Sequence, residues 1–398
     1  MRVAYVCADP GVPVFGRKGC SVHVQAVLGA LSDAGADLTL FAARLGGEPP
    51  RALSGIPIRR LPRSASEDKA EQERDALEAN HVLREVLEVT GPFDAVYERY
   101  ALWSFAGMEY ARDAGAAGLL EVNAPLVVEE AAHRGLMHRE AAEGVADRAF
   151  AAASRLIAVS EELARWMTAR PGARGRVQVI PNAVDPTRFP AAIQPTHRVH
   201  DAFTVGFLGG LRPWHGLALL AEAFGLFHAR RPSSRLLVVG DGPERAGFES
   251  ALSRHGVRHV AELTGAVAPD QVPGLLASMD AAVAPYAPLA HFYFSPLKVY
   301  EYMAAGLPVV ASRVGQVAEA IRHGETGLLC PPGDAASMAE ALAGLAADPA
   351  LRARLGEKAR QRVLADHTWG AVAQRILVLA DESQRERREW AEAAVGSP

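Results

Sequence analysis

The sequence predicts an α/β protein made of two doubly wound parallel-sheet domains facing across a cleft. Three observations carry that prediction. Short apolar runs alternate with longer amphipathic stretches, the pattern of parallel strands joined by crossover helices. Glycine-rich turns end several of the apolar runs, where sheets of this kind bind ligands. A length of 398 residues is more than one hydrophobic core usually serves.

In the first half, strands are predicted at Val3–Ala8, Leu38–Ala42, Ile56–Leu61, Ala95–Glu98, Gly118–Glu121, Leu156–Val159 and Val177–Ile180. Helical periodicity lies between them, as in Ser21–Ala34 and Glu71–Val89. The second half repeats the theme, with strands at Thr204–Leu208, Leu236–Val239, His259–Leu263, Ala281–Ala284, Pro308–Ala311 and Gly327–Cys330. Helices are expected there at Leu217–Arg230, Leu297–Ala305 and Ser337–Ala346. Pro181–Asp201 is rich in proline and charge and lacks periodicity, so it reads as a connection. The expected division is a domain over 1–185, a linker over 186–202 and a domain over 203–370. A charged helix over 371–398 is expected to pack back toward the N-terminal domain.

Composition narrows the class. Hydrophobic residues at 49% and charged residues at 22% fit a soluble globular chain, and a net charge of −4 argues against a general nucleic-acid binder. Cys7, Cys20 and Cys330 have no metal-ligand spacing, and their scatter fits a reducing compartment. No leader-like or membrane-spanning run is evident, so a cytoplasmic protein is expected. Arg59, Arg60 and Arg63 form a small basic cluster, and peripheral contact with the inner face of a membrane is left open.

The run Phe294–Ser312 carries the most chemistry. Lys298 and Glu301 share a helix face beside an N-terminal turn, and backbone amides at such a turn attract phosphate. The glutamate could accept hydrogen bonds from sugar hydroxyls. A solvated ion pair accounts for the same two residues. Gly16–Gly19 precedes a helix and carries Arg17 and Lys18; a glycine turn there lets amides approach an anion, or is simply a tight turn. Leu208–Gly216 follows the first strand of the second half, with Arg212 and His215 within reach of a phosphate and Trp214 as an anchor. A loop-capping histidine is the alternative for His215. Gly240 and Asp241 form a sharp turn within Val239–Pro243, and Thr264–Val267 ends the next strand.

In this order, these segments resemble the retaining glycosyltransferases of family 4, which have the two-domain Rossmann-like architecture called GT-B. Phe294–Ser312 is similar to the family's donor-binding segment, VGDGP stands at 239–243, and Pro181–Asp185 matches the family's hinge except at Ala183. Gly324–Leu329 and Gly333–Asp334 continue the likeness, which runs from about Val179 to Trp369. The family's Glu-x7-Glu signature is half present: Glu301 matches its second glutamate, and Tyr293 stands where the first would be.

The resemblance implies transfer of a sugar, with retention of configuration, from a nucleotide-diphospho-sugar to an acceptor hydroxyl. UDP or GDP is the expected carrier, and no metal or other cofactor is implied. It assigns the donor to Gly19, Gly209, Arg212, His215, Gly240, Asp241, Val267, Ser295, Pro296, Leu297, Lys298 and Glu301. Lys298 and Arg212 replace the family's usual cations, whose places are held by Gly210 and His215, and Glu301 holds the ribose. Asn123 takes the place of a histidine that faces the reacting sugar; with Lys298, Arg212 and Glu301 it completes the expected catalytic set. Lys18, His23, Glu98, Arg99, Glu121, Asn123 and Tyr293 are expected on the acceptor side or cleft wall, and His133 is a further candidate. Glu98 and Arg99 could instead pair with each other. A carbohydrate, lipid-linked or small-molecule acceptor fits. An epimerase or hydrolase of the same fold, or a non-catalytic carbohydrate-binding relative, stays open.

Overall fold

The computed structural model describes residues 1–133, 135–289 and 291–395. It divides the chain into two compact units. One comprises Met1–Pro181 with the chain from Trp369 onward, and the other is Asn182–Thr368.

The first unit is a seven-stranded parallel sheet with strands β1 (Arg2–Cys7), β2 (Asp37–Ala42), β3 (Ile58–Arg60), β4 (Ala95–Arg99), β5 (Ala117–Val122), β6 (Arg155–Ala158) and β7 (Val177–Val179). Their order is β3-β2-β1-β4-β5-β6-β7, so the sheet reverses direction of growth between β1 and β4. Crossovers start on both sides of that point, which opens a crevice at the carboxyl ends of the strands. The helix Trp369–Val395 belongs to this unit and lies against the helix Gly19–Asp33 and β5.

The second unit repeats the plan with six strands: β8 (Phe203–Leu208), β9 (Ser234–Val239), β10 (Ala261–Leu263), β11 (Ala281–Ala284), β12 (Val309–Ser312) and β13 (Leu328–Cys330). Their order is β10-β9-β8-β11-β12-β13. Alternate residues feed two cores, one on each face. Val205, Phe207, Leu236, Val238, Ala281 and Val283 enter one, with Phe224 and Phe227 from the helix Leu217–Arg230. Leu208, Leu237, Val239, Ala282 and Ala284 enter the other, with Val299, Tyr300 and Tyr302 from the helix Leu297–Ala304. Burial on both faces is why these strands read as continuous apolar runs.

The segment 186–202, expected as a linker, packs on the second unit. Arg188 bonds to Glu301, the Thr196 amide donates to the carbonyl of Gly274, and Ser278 Oγ accepts from the amides of Thr196 and His197. Phe189 is fully buried in a core of this unit and Ile193 packs against it, so the segment docks through two spaced apolar side chains as well as through backbone and charge, which is why its sequence shows no periodicity. Among the described residues, no helix is long and apolar enough to cross a membrane.

Candidate functional site

At the carboxyl ends of β8, β9 and β10, three turns are laced together by backbone hydrogen bonds. Gly209 donates to Val239, Leu211 to Asp241 and Gly240 to Gly265, at 2.9–3.0 Å. Only glycine fits here. Gly240 has φ +134°, and a Cβ on it would stand 2.2 Å from the carbonyl oxygen of Gly209. A Cβ on Gly242 would stand 2.4 Å from that of Leu211. The Asp241 carboxylate accepts from the Gly242 amide and lies 3.7 Å from Arg245, so it serves its own turn; Val267 is half-buried after β10.

Lys298 rises from the helix Leu297–Ala304 to the first of these turns. Its Nζ is buried, lacks a hydrogen-bond partner, and sits 4.2 Å from the centroid of the Phe207 ring. A Cβ on Gly209, which has φ +137°, would lie only 3.0 Å from it. Burial lowers the Lys298 pKa to about 7. Arg212 is half-buried in the same loop.

His215 does the other thing a loop histidine can do. Its Nδ1 lies 2.5 Å from the carbonyl oxygen of Gly210, and burial, with the charges of Lys298 and Arg212, lowers its pKa to about 3. A neutral ring donating from Nδ1 leaves Nε2 as an acceptor, so His215 braces the loop and adds no charge for a phosphate.

The helix Leu297–Ala304 starts at Pro296 with no side-chain cap, leaving its first amides open to an anion. Ser295 anchors the start: its Oγ accepts from the Asn182 amide at 3.0 Å, and its carbonyl accepts from Asn182 Nδ2 at 2.6 Å. Tyr302 fixes the other face by accepting from the Leu208 amide at 2.6 Å. Glu301 is paired, with Arg188 Nη1 2.9 Å from Oε1. Burial raises its pKa, and the Arg188 charge and hydrogen bond offset this only in part. Arg188 lay in the expected linker, where nothing in the local pattern marks it. Tyr293 packs against Phe294, which in turn stacks on Trp214 with ring planes 14° apart.

In the first unit, strand alternation sorts the polar candidates. Tyr5, Cys7, Tyr97, Arg99, Glu121 and Asn123 fall on one face of β1, β4 and β5, in register. His23 reaches Glu121 from the helix Gly19–Asp33, with Nε2 2.8 and 2.9 Å from its two oxygens, and packs edge-on to Trp369. Arg99 stands 3.7 Å from Glu121. Burial pushes the Glu121 carboxyl up, but His23 and Arg99 override it and hold the pKa at about 2. An ionised Glu121 can only accept, so Asn123 gives it Nδ2, at 3.0 Å, and turns its amide oxygen away.

Glu98, expected on the cleft wall, is on the opposite face of β4 and fully buried. Ser104 donates to one of its oxygens, and a Cβ on Gly107 would come within 2.3 Å of the other. Glu98 and Arg99 therefore do not pair, because neighbours along a strand point apart. His23 and Glu121 are likewise interior groups rather than wall groups. Lys18 and Gly19 are exposed at the start of the helix Gly19–Asp33. The side chain of His133 lies outside the described residues.

Two doubly wound parallel sheets, one with glycine turns and a buried lysine at the carboxyl ends of its strands, are the arrangement of the GT-B fold. Residues 17–188 match the family model described as Glycosyltransferase Family 4, and residues 202–348 match that for Glycosyl transferases group 1. Together these matches run through both units, and the chain belongs to family 4 of the glycosyltransferases. Glycogen synthase of Mycobacterium tuberculosis is 31% identical over 198 residues, 50% of this chain and 46% of that one. The chain thus spans about half the length of that relative. D-inositol 3-phosphate glycosyltransferase of Kribbella flavida is 29% identical over 371 residues, 86% of this chain and 85% of that one. Among solved structures, Anabaena HepE in complex with UDP-glucose superposes with a TM-score of 0.73 at 19% identity, covering 96% of this chain and 100% of that one. That is a likeness of fold.

Proposed function

We propose that the chain is a retaining glycosyltransferase that moves a sugar from a nucleoside-diphospho-sugar, with UDP or GDP as carrier, to an acceptor hydroxyl. Lys298 carries this reading: a buried amine without a partner, placed beside an open glycine turn and an uncapped helix start. Such an amine gains most from a bound anion, which restores its charge and satisfies its protons. A diphosphate held by Lys298, Arg212 and the amides of Leu297 and Lys298 leaves as these donors stabilise the charge developing on it.

Glu301, oriented by Arg188, accepts from the ribose hydroxyls. The aromatic shelf of Trp214, Phe294 and Tyr293 meets the donor sugar where relatives of the family carry a carboxylate. Attack from the face that the diphosphate leaves retains configuration. The acceptor is the task of the first unit, with the outward oxygen of Asn123 accepting from a sugar hydroxyl. The relative that acts on D-inositol 3-phosphate and the neighbour bound to UDP-glucose fit this substrate class without fixing the sugar.

The test is transfer itself. UDP- and GDP-sugars are incubated with a panel of carbohydrate acceptors, and the anomeric proton of each product is read by NMR. The expected product keeps the donor's anomeric configuration. Inverted product, or release of free sugar alone across the panel, counts against the proposal.

A further inference from the structure

The basic cluster after β2 and β3 is not used by the donor chemistry, and the fold gives it a shape. Arg60 ends β3 opposite Ala42, the last residue of β2. Arg44 follows β2 and Arg63 follows β3. Together these arginines line an open cleft of about 560 Å³ at the ligand-binding ends of the strands. Glu48 is its one carboxylate, so three guanidinium groups leave a surplus of two positive charges.

The cations are otherwise uncommitted. Among the described residues, none of the three forms an ion pair; Arg44 gives one weak hydrogen bond, 3.4 Å, to the Pro10 carbonyl. The floor is fixed. The Val14 amide donates to Arg44 at 3.0 Å, and the Phe15 amide to Leu45 at 2.7 Å. Gly46, at φ +77°, lies so close to Pro13 that a Cβ would stand 2.3 Å from that ring. Charge on an edge strand guards it against unwanted pairing, which accounts for Arg59 on the other face of β3. It does not account for three arginines from two strand ends converging on one cleft. A second cleft shares Ala43, Leu61 and Arg63 with the first and brings Trp103 and Asp9 to its wall.

We infer that the acceptor carries a phosphate group, bound by Arg44, Arg60 and Arg63, while the part to be glycosylated lies toward Trp103. This deepens the transferase reading and rests on it. Guanidinium groups form paired, charge-assisted hydrogen bonds with phosphate oxygens, and a dianionic monoester matches the surplus charge.

The full chain is saturated with the nucleoside diphosphate that raises its Tm most, so that the donor site is filled. It is then titrated calorimetrically with glycerol 3-phosphate, with glycerol as the uncharged control. Binding is expected for the phosphate ester alone, weakened about tenfold or more in Arg60→Ser/Arg63→Ser, with the nucleotide-induced shift unchanged. A parallel arm measures sedimentation with phosphatidylcholine vesicles with and without phosphatidylglycerol. Arginine-dependent binding to the anionic vesicles places the phosphate on a lipid, and binding of the soluble ester alone places it on a small molecule. If neither probe distinguishes the wild type from the double variant, the inference is overturned. Absence of any nucleotide shift instead overturns the transferase reading, and the titration is then run on the chain alone.

Discussion

His23 and Glu121 meet inside the first unit, with both carboxylate oxygens within 2.9 Å of one imidazole nitrogen. Glu121 has a folded pKa of about 2 against 4.5 for a free glutamate, so it ionises more readily in the fold. Its stabilising contribution is full above about pH 4.5 and fades as pH falls toward 2. By linkage that contribution is about 3 kcal/mol. Glu121→Gln is expected to destabilise the protein by about 3 kcal/mol at pH 7, because it takes the buried Arg99 guanidinium's counter-charge away. It should also flatten the acid limb of a urea-unfolding series between pH 5 and 3.

Glu98, one strand away on the opposite face, has the reverse slope. Burial raises its pKa to about 7, the Ser104 hydrogen bond opposing. Folding therefore favours its protonated form. Its contribution is full below about pH 4.5 and is lost as pH rises through 7. Glu98→Gln is expected to be close to neutral at pH 5 and stabilising by about 2 kcal/mol at pH 8. Unfolding midpoints at the two pH values check this, and a stability gain equal at both would contradict it.

Lys298 links pH to donor affinity. Its folded pKa of about 7 lies below the ordinary 10.5, so stability from this group grows as pH rises from 7 toward 10.5. Diphosphate binding needs the charged form and runs the other way. Donor affinity is expected to fall about tenfold per pH unit above 7, as measured by calorimetry with a nucleotide whose own phosphates do not titrate in that range.

Arg188 orients Glu301 at 2.9 Å. If Glu301 holds the ribose, 2′-deoxynucleotide donors bind about tenfold more weakly than ribonucleotides to the wild type. Glu301→Gln and Arg188→Met should each shrink that ratio toward one, which separates a ribose contact from a general loss of folding.

The doubly wound plan is legible because most strands among the described residues are short, buried apolar runs, as in β1, β8 and β11, whereas the edge strand β3 reads Ile-Arg-Arg and is mostly exposed. The segment proposed to hold the donor is legible because Lys298, Glu301 and Pro308 sit in one continuous stretch. What escaped was set by tertiary contact. Arg188 reaches Glu301 across 113 positions, His23 reaches Glu121 across 98, and no local periodicity marks either pairing. Glu98 was misplaced because burial of a carboxylate depends on Ser104 and Gly107 packing over it, not on the polar run Tyr97–Tyr100 that contains it. His215 reads from its loop as a possible cation, but burial, with the charges of Lys298 and Arg212, keeps its ring neutral, and the Gly210 carbonyl opposes this only in part.

The most direct test of the donor site is the melting temperature of wild type and Lys298→Met with and without nucleotide sugars. Removing an unpartnered buried amine should leave the melting temperature of the free variant equal or higher. A matching UDP- or GDP-sugar should raise the wild-type value by several degrees through linkage, and that rise should vanish in Lys298→Met. Equal shifts in both proteins, or none in the wild type with any nucleotide sugar, would contradict a donor site built on Lys298.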